Sequence, residues 1–90
     1  MTNEWRRLER IVRGFSNHRR LQMLQLLAAT PEQDVQSMAS ACGINIRTAS
    51  DHTFRLVRSG LVLKRSKGRR VLHAVSPRGK AVLAFVRSLK

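Results

Sequence analysis

Residues 37–60 read SMASACGINIRTASDHTFRLVRSG, two short helical patterns on either side of a glycine. The apolar side of the first pattern consists of Met38, Ala39 and Cys42. Gly43 suits the left-handed residue that commonly ends a helix, and Asn45 suits the cap that begins the next one. Gly60 ends the second pattern. Two helices joined by a tight, glycine-containing turn are typical of a helix-turn-helix.

Two amphipathic helices are predicted before this pair. In the first, apolar residues recur every three or four positions, and it ends near residues 14–16. Asn17 is the predicted cap of the second, which the pair Thr30 and Pro31 closes. The first half of the chain is therefore predicted to be entirely helical.

After Gly60 the pattern changes to β-rich runs at 61–63 and 71–75, with a polar tip at 66–68 between them. Ser76 and Pro77 suit the cap and first residue of a last helix. The predicted fold class is mainly α with a small β-hairpin, a winged helix-turn-helix in the order α-α-α-turn-α-β-β-α. We expect one such domain over residues 1–90.

The charge of the chain indicates a polyanionic partner. Eighteen Lys and Arg residues face five Asp and Glu, which gives a formal net charge of +13. A folded domain this basic repels itself, and nucleic acid is the first candidate to compensate for it, ahead of an anionic membrane surface. Charges between Met1 and Arg10 exclude a signal peptide there, and no apolar run approaches the length of a membrane span. We expect a cytoplasmic protein without a membrane partner.

The helix that Asn45 caps has the two faces that a recognition helix needs. Ala49, Thr53 and Leu56 lie on one side and hold it on the domain. The residues predicted to contact DNA on the other side are Asn45, Ile46, Arg47, Thr48, Ser50, Asp51 and Arg55. Arg47 can bond two acceptors of guanine, and Asp51 can either accept from cytosine or orient a neighbouring arginine. The alternative interpretation is a solvated helix face that happens to be basic.

The predicted hairpin adds a cluster of positive charge directly after that helix. Its predicted DNA-contacting residues are Lys64, Arg65, Lys67, Arg69 and Arg70. A basic loop beside a recognition helix can reach backbone phosphates or the neighbouring minor groove. Such contacts add affinity and salt dependence with little sequence information.

Several stretches resemble a known family. Residues 15–27 (FSNHRRLQMLQLL) resemble the opening of ArsR-type winged-helix repressors, and residues 43–52 (GINIRTASDH) with 59–62 (SGLV) resemble their recognition helix and its exit. Residues 76–80 (SPRGK) look like the start of the last helix in the related MarR-type regulators. The resemblance implies a homodimer that binds an inverted repeat, with the first and last helices at the dimer interface. Thr53 departs from the pattern, since leucine is common there.

The terminal helices carry matching apolar stripes, which we assign to a dimer interface together with the protomer core. The predicted interface residues are Trp5, Leu8, Ile11, Val12, Phe15, Val82, Phe85, Val86 and Leu89. A membrane-surface face flanked by arginines is the other interpretation of the first stripe. A chain of this size gains useful stability from a partner, which favours the dimer.

The sequence predicts no enzyme, because its five acidic residues, single cysteine and scattered histidines leave no nucleophile with a base and no carboxylate pair. The metal-sensing family members carry paired cysteines before the recognition helix, whereas this chain has Cys42 alone, so we predict no metal site and no cofactor. No small-molecule effector is predictable. The expected function is sequence-specific binding of double-stranded DNA in transcription regulation, with repression expected and activation open. An RNA-binding or nonspecific nucleic-acid-binding winged helix and a protein-interaction module remain as alternatives.

Overall fold

The helices of the protein begin where polar side chains satisfy the first free backbone N–H groups. In the computed structural model, which describes residues 2–90, Asn17 Oδ1 accepts from the backbone N–H of Arg19 and Arg20 at 2.9 and 3.1 Å. Asn45 Oδ1 accepts from the N–H of Arg47 at 2.7 Å. These two caps and the Ser76 cap, which accepts from Gly79 at 3.0 Å, confirm the predicted helix starts.

Residues 2–90 form five helices and one hairpin, which confirms the predicted fold class and its order. The elements are α1 (Thr2–Phe15), α2 (His18–Ala29), α3 (Val35–Cys42), α4 (Ile46–Arg58), β1 (Val62–Lys67), β2 (Arg70–Val75) and α5 (Pro77–Ser88). Met1, which the predicted domain includes, lies outside the described residues.

A single apolar cluster joins the helices to the hairpin. Its fully buried members are Met23, Leu24, Leu27, Met38, Leu56, Leu61 and Val62. Cys42 lies in the same cluster with 6% of its surface exposed, which confirms its predicted place in the core. Burial raises the pKa of the Cys42 thiol, against a smaller opposing influence of Arg19, so the unreactive thiol form is favoured.

The hairpin differs from its prediction in length and in the position of its turn. Ser66 and Lys67 were expected at the tip, but they pair with Val71 and Arg70 as the last residues of β1. The connection contains two residues, of which Gly68 has the left-handed φ of 61°. Glycine at the first position of a two-residue turn matches the twist of the strands, so the ladder extends to the turn.

The sequence did not predict an isolated β-bridge to β2. Gln33 forms an antiparallel bridge with His73, and each residue donates its backbone N–H to the other's carbonyl at 3.3 and 2.9 Å. His73 Nδ1 also lies 2.9 Å from the Gln33 carbonyl oxygen. The loop between α2 and α3 is therefore attached to the hairpin. Glu32, in that loop, takes a left-handed φ of 65°.

The start of α5 lies so close to Leu61, just before β1, and to Val75, at the end of β2, that a side chain at position 79 would collide with them. A Cβ atom there would overlap the Leu61 carbonyl oxygen and lie 2.6 Å from Val75 Cγ1. The structure therefore depends on Gly79 for the angle at which the last helix leaves the hairpin.

The Gly79→Ala substitution is expected to destabilise the protein by about 1–3 kcal/mol, because backbone must move to admit the methyl group. Alanine at an unstrained helical glycine would instead stabilise it by roughly 0.4–1 kcal/mol, so the sign of the change in the free energy of unfolding is diagnostic. Urea unfolding measures it. Lys80→Ala, at the exposed neighbouring position, is the matched control and should stay within about 0.5 kcal/mol of wild type. A stabilised Gly79→Ala protein would contradict the close approach.

Candidate nucleic-acid interface

The turn between α3 and α4 is fixed by backbone geometry. Gly43 takes a left-handed φ of 65°, as predicted, and the N–H of Ile44 donates to the Ala39 carbonyl at 3.0 Å. These contacts end α3 and aim the chain into α4 at Asn45. The two helices pack on each other and form the predicted helix-turn-helix.

One face of α4 holds the helix on the domain. Ala49 and Leu56 are fully buried, and Thr53 is 4% exposed. The Thr53 hydroxyl donates to the Ala49 carbonyl at 2.7 Å, so this polar residue is buried with its hydrogen bond made. That bond explains how threonine replaces the leucine common in the family.

The opposite face of α4 is exposed along its length. All the residues predicted to contact DNA from this helix are solvent-exposed: Asn45, Ile46, Arg47, Thr48, Ser50, Asp51 and Arg55. Phe54 lies among them with 62% of its surface exposed, and Ile46 with 53%. The same face also carries Arg58. The helix therefore presents a mixed cationic and apolar surface to a partner.

The wing residues predicted to contact DNA are exposed as well, but the structure divides them. Lys64 lines a cleft of about 200 Å³ between α4 and the hairpin, together with Ser50 and Phe54. Arg65 and Arg70 form ion pairs, at 3.2 Å each, with Glu32 and Asp34 of the loop before α3. The remaining wing cations, Lys67 and Arg69, lie at the turn. Sequence reasoning missed both acidic partners, which lie more than thirty residues earlier in the chain.

A partly buried contact joins α4 to α2. Arg20 Nη1 lies 3.2 Å from His52 Nδ1, and Arg20 Nη2 donates to the Arg13 carbonyl at 3.1 Å. Arg20 Nε is buried and has no hydrogen-bond partner within residues 2–90. Burial lowers the pKa of Arg20, and the positive charge of Arg55 lowers it further. His52 therefore packs on the adjoining helix.

Burial also lowers the pKa of His52 below its usual 6.5, and the charges of Arg20 and Arg55 add to this against a smaller opposing effect of Asp51. His18 contributes a further small lowering. In the unfolded chain His52 takes up its proton at a higher pH than in the folded chain. Stability is therefore expected to fall as the pH drops below about 6.5, and to be unaffected by this group above it.

The His52→Gln variant is expected to lose less of its thermal stability than wild type between about pH 7.5 and pH 5.5, since it lacks the group that resists protonation. Melting temperatures at several pH values measure the difference. His18→Gln, at the exposed start of α2, removes only the smallest contribution to this lowering, so it is the control and should give a profile close to that of wild type. The hydrogen bond from the Ser37 N–H holds the pKa of Asp34 below 3.8, so Asp34 does not titrate in this window. Parallel pH profiles for wild type and His52→Gln would contradict the assignment.

A second cationic surface, which the sequence did not predict, lies between α1 and α4. This open groove of about 790 Å³, here called the arginine groove, is lined by six arginines and one acidic residue, Asp51. The arginines are Arg7, Arg10, Arg13, Arg55, Arg58 and Arg78. The spacing of Arg7, Arg10 and Arg13 places them on one side of α1. That spacing is the one feature of the sequence from which a cationic surface on α1 could have been predicted.

The apolar stripes of the terminal helices are only partly used within the protomer. Ile11, Phe15 and Val82 are half-buried and pack against the core. Leu8 and Val86 are half-buried too. The exposed members of the predicted interface are Trp5, Val12, Phe85 and Leu89, at 68, 51, 57 and 67%. In the part of the chain that the structure describes, no helix is long and apolar enough to span a membrane.

The chain is similar in structure to the homodimeric winged helix-turn-helix DNA-binding domain of Mb0332 from Mycobacterium bovis, a possible ArsR-family transcriptional regulator. The two are 31% identical with a TM-score of 0.87, over 98% of this chain and 82% of that one. This chain belongs to the ArsR family of winged helix-turn-helix transcriptional regulators. No family model matches it.

Two further proteins are similar to this chain. HlyU from Vibrio cholerae is 27% identical with a TM-score of 0.82, over 99% of this chain and 97% of that one. The HTH-type transcriptional regulator Rv0324 of Mycobacterium tuberculosis is 39% identical over 67 residues, which are 74% of this chain. The chain spans 29% of the length of that curated relative. Mb0332 is described as a possible transcriptional regulator and Rv0324 as an HTH-type transcriptional regulator, and neither is described as an enzyme.

Proposed function

We propose that the chain is a sequence-specific double-stranded DNA-binding regulator of transcription, acting as a repressor and as a homodimer on an inverted repeat. The observation that carries the proposal is the exposed face of α4, which follows a tight turn and lies beside a basic hairpin. A helix held by one apolar face, with cations on the other, suits the major groove. The net charge of +13 suits the phosphate backbone.

The proposed contacts divide between base edges and phosphates. Arg47 lies one turn or less from the start of α4, the end that usually enters the groove most deeply, and its guanidinium matches the O6 and N7 acceptors of guanine. Asp51, one turn later on the same side, accepts from cytosine or orients an arginine. Lys67 and Arg69 at the wing tip bind phosphates directly. Arg65 and Arg70 must break their ion pairs with Glu32 and Asp34 before they bind phosphate, so they add less to the affinity for DNA.

The dimer is proposed from the exposed apolar residues of α1 and α5. A partner would bury the exposed apolar side chains of Trp5, Val12, Phe85 and Leu89. The related Mb0332 domain is homodimeric. Two recognition helices of such a dimer lie about 34–36 Å apart, one turn of the double helix, and read a pseudo-palindrome. We further propose that residues 1–90 act as a single domain in the cytoplasm, where the DNA is.

Selection of bound sequences from a random duplex pool tests the proposal. A two-fold symmetric consensus with half-sites centred about 10–10.5 base pairs apart is expected. Pools without any enriched sequence would contradict sequence-specific binding. Competition between labelled duplex and RNA at several salt concentrations gives the second readout. A steep salt dependence with no preference for duplex DNA would assign the surface to RNA or to nonspecific binding, and no binding of either polymer would favour a protein partner.

A further inference from the structure

The arginine groove carries more positive charge than its one acidic lining residue, Asp51, can balance. Within residues 2–90, Arg13 pairs with Glu9 at 3.5 Å, and Arg78 Nη1 donates to the Ser59 carbonyl at 3.0 Å. The guanidinium groups of the remaining four arginines of the groove, Arg7, Arg10, Arg55 and Arg58, form no ion pair or hydrogen bond with another described residue of that range. Mutual repulsion of uncompensated guanidinium groups costs stability, so an anion that fills the groove would relieve it.

We propose that the arginine groove binds backbone phosphates of duplex DNA, flanking the contacts that α4 makes in the major groove. The proposal rests on the proposed function and extends its contact surface to α1, which the sequence assigned to dimerisation alone. Guanidinium groups match phosphate oxygens in a two-pronged geometry, which makes arginine the favoured residue for phosphate recognition.

The groove is continuous with the exposed face of α4. Arg55 and Arg58 line it and belong to the face that also carries Arg47, so a duplex lying on that face passes the mouth of the groove. At its closed end, α1 meets α4 at Gly14, where a Cβ atom would overlap the Ser59 side chain. The two helices can approach this closely only because residue 14 has no side chain.

The length of the groove fits a run of phosphates. From Arg7 to the Gly14 contact, α1 extends about 10 Å at its rise of 1.5 Å per residue. One strand of duplex DNA places a phosphate every 3.4 Å or so along the axis, so a duplex whose axis ran parallel to α1 would place roughly three phosphates over this length. Arg7 and Arg10, one helical turn apart, are the residues placed to bind them from the α1 side.

The test compares two charge-matched double variants in the full chain. Arg7→Gln with Arg10→Gln removes two groove cations and keeps good helix formers. Arg6→Gln with Lys90→Gln removes two exposed cations outside the groove lining. Duplex affinity is measured against salt concentration on the selected sequence and on an unrelated duplex, and sedimentation checks that both variants keep the oligomeric state of wild type.

The groove variant is expected to bind both duplexes more weakly and to reduce the slope of log K against log salt by about 0.9 for each lost contact, hence by about 2 per protomer. The sequence preference of α4 should be unchanged. A groove variant with the affinity and slope of the control pair overturns the inference while leaving the proposed function intact. A wild-type chain that ignores duplex DNA overturns the proposed function itself.

Inorganic tripolyphosphate distinguishes a free anion from the DNA backbone. Calorimetry without DNA is expected to show that tripolyphosphate binds wild type weakly and binds the groove variant more weakly still. If tripolyphosphate bound wild type tightly, depended on Arg7 and Arg10, and the duplex slope did not, the groove would belong to a free polyphosphate and the inference would be wrong.

Discussion

The Phe85→Glu substitution is expected to convert the proposed dimer into monomers and to lower affinity for a two-half-site duplex by about 10²–10⁴-fold, because the second half-site is then bound without the benefit of linkage. Phe85 is 57% exposed on the protomer, and Leu89, one turn later, is 67% exposed. Full burial of a phenylalanine contributes about 1.5–3 kcal/mol, so covering the exposed part of Phe85 contributes roughly half of that, and a carboxylate in its place must be desolvated instead.

Sedimentation measures the mass of the Phe85→Glu protein, and a duplex with one half-site separates loss of the dimer from loss of the recognition surface. Affinity for the single half-site should be close to that of wild type on the same duplex. Ala84→Glu, an exposed position on the other side of α5, is the matched control and should stay dimeric. A Phe85→Glu protein that sediments as wild type does would place the dimer interface elsewhere.

The Arg47→Ala substitution is expected to weaken binding to the selected sequence by about 1–3 kcal/mol per half-site, hence about 2–6 kcal/mol for a symmetric site read twice, and to relax the preference at the base pair that it contacts. Arg47 is exposed on α4, and its N–H is already used by the Asn45 cap, so alanine leaves the helix start intact. Affinity for the selected duplex and for its single-base variants gives both quantities.

Arg69→Ala is the matched comparison for Arg47→Ala, since both remove one exposed arginine and Arg69 lies at the wing tip. It should weaken all duplexes alike and lower the salt slope by roughly 1. If Arg47→Ala changed neither affinity nor preference, α4 would present a different side to the bases.

The helix boundaries were predictable because caps are local chemistry. Asn17, Asn45 and Ser76 each accept from an N–H two or three residues later, a spacing that the sequence displays directly. The buried face of α4 was predictable for the same reason, since its residues recur at helical spacing. The hairpin turn is the one local feature that differs from its prediction. The polar residues Ser66 and Lys67 belong to the strand ladder, because only Gly68 must take a left-handed conformation.

Features that join distant segments were not predictable. The Gln33–His73 bridge links residues forty positions apart. The sequence around Gln33 has no strand pattern, and the β-rich run at 71–75 does not indicate which other segment pairs with it. The pairs of Arg65 with Glu32 and of Arg70 with Asp34 depend on that bridge, which brings the loop alongside the hairpin. The arginine groove combines α1, α4 and the start of α5, so its charge is evident only when the helices are packed.

The contact between Gly14 and Ser59 has a consequence for the assembled regulator. Arg78 reinforces it by donating to the Ser59 carbonyl at 3.0 Å, so the ends of α1 and α4 and the beginning of α5 meet at one point. The helices proposed to join two copies and the helix proposed to read bases are thus clamped within each protomer. The distance between the two recognition helices of the dimer is then fixed by the rigidity of each protomer. A DNA site with one base pair inserted at its centre must twist or bend to be bound.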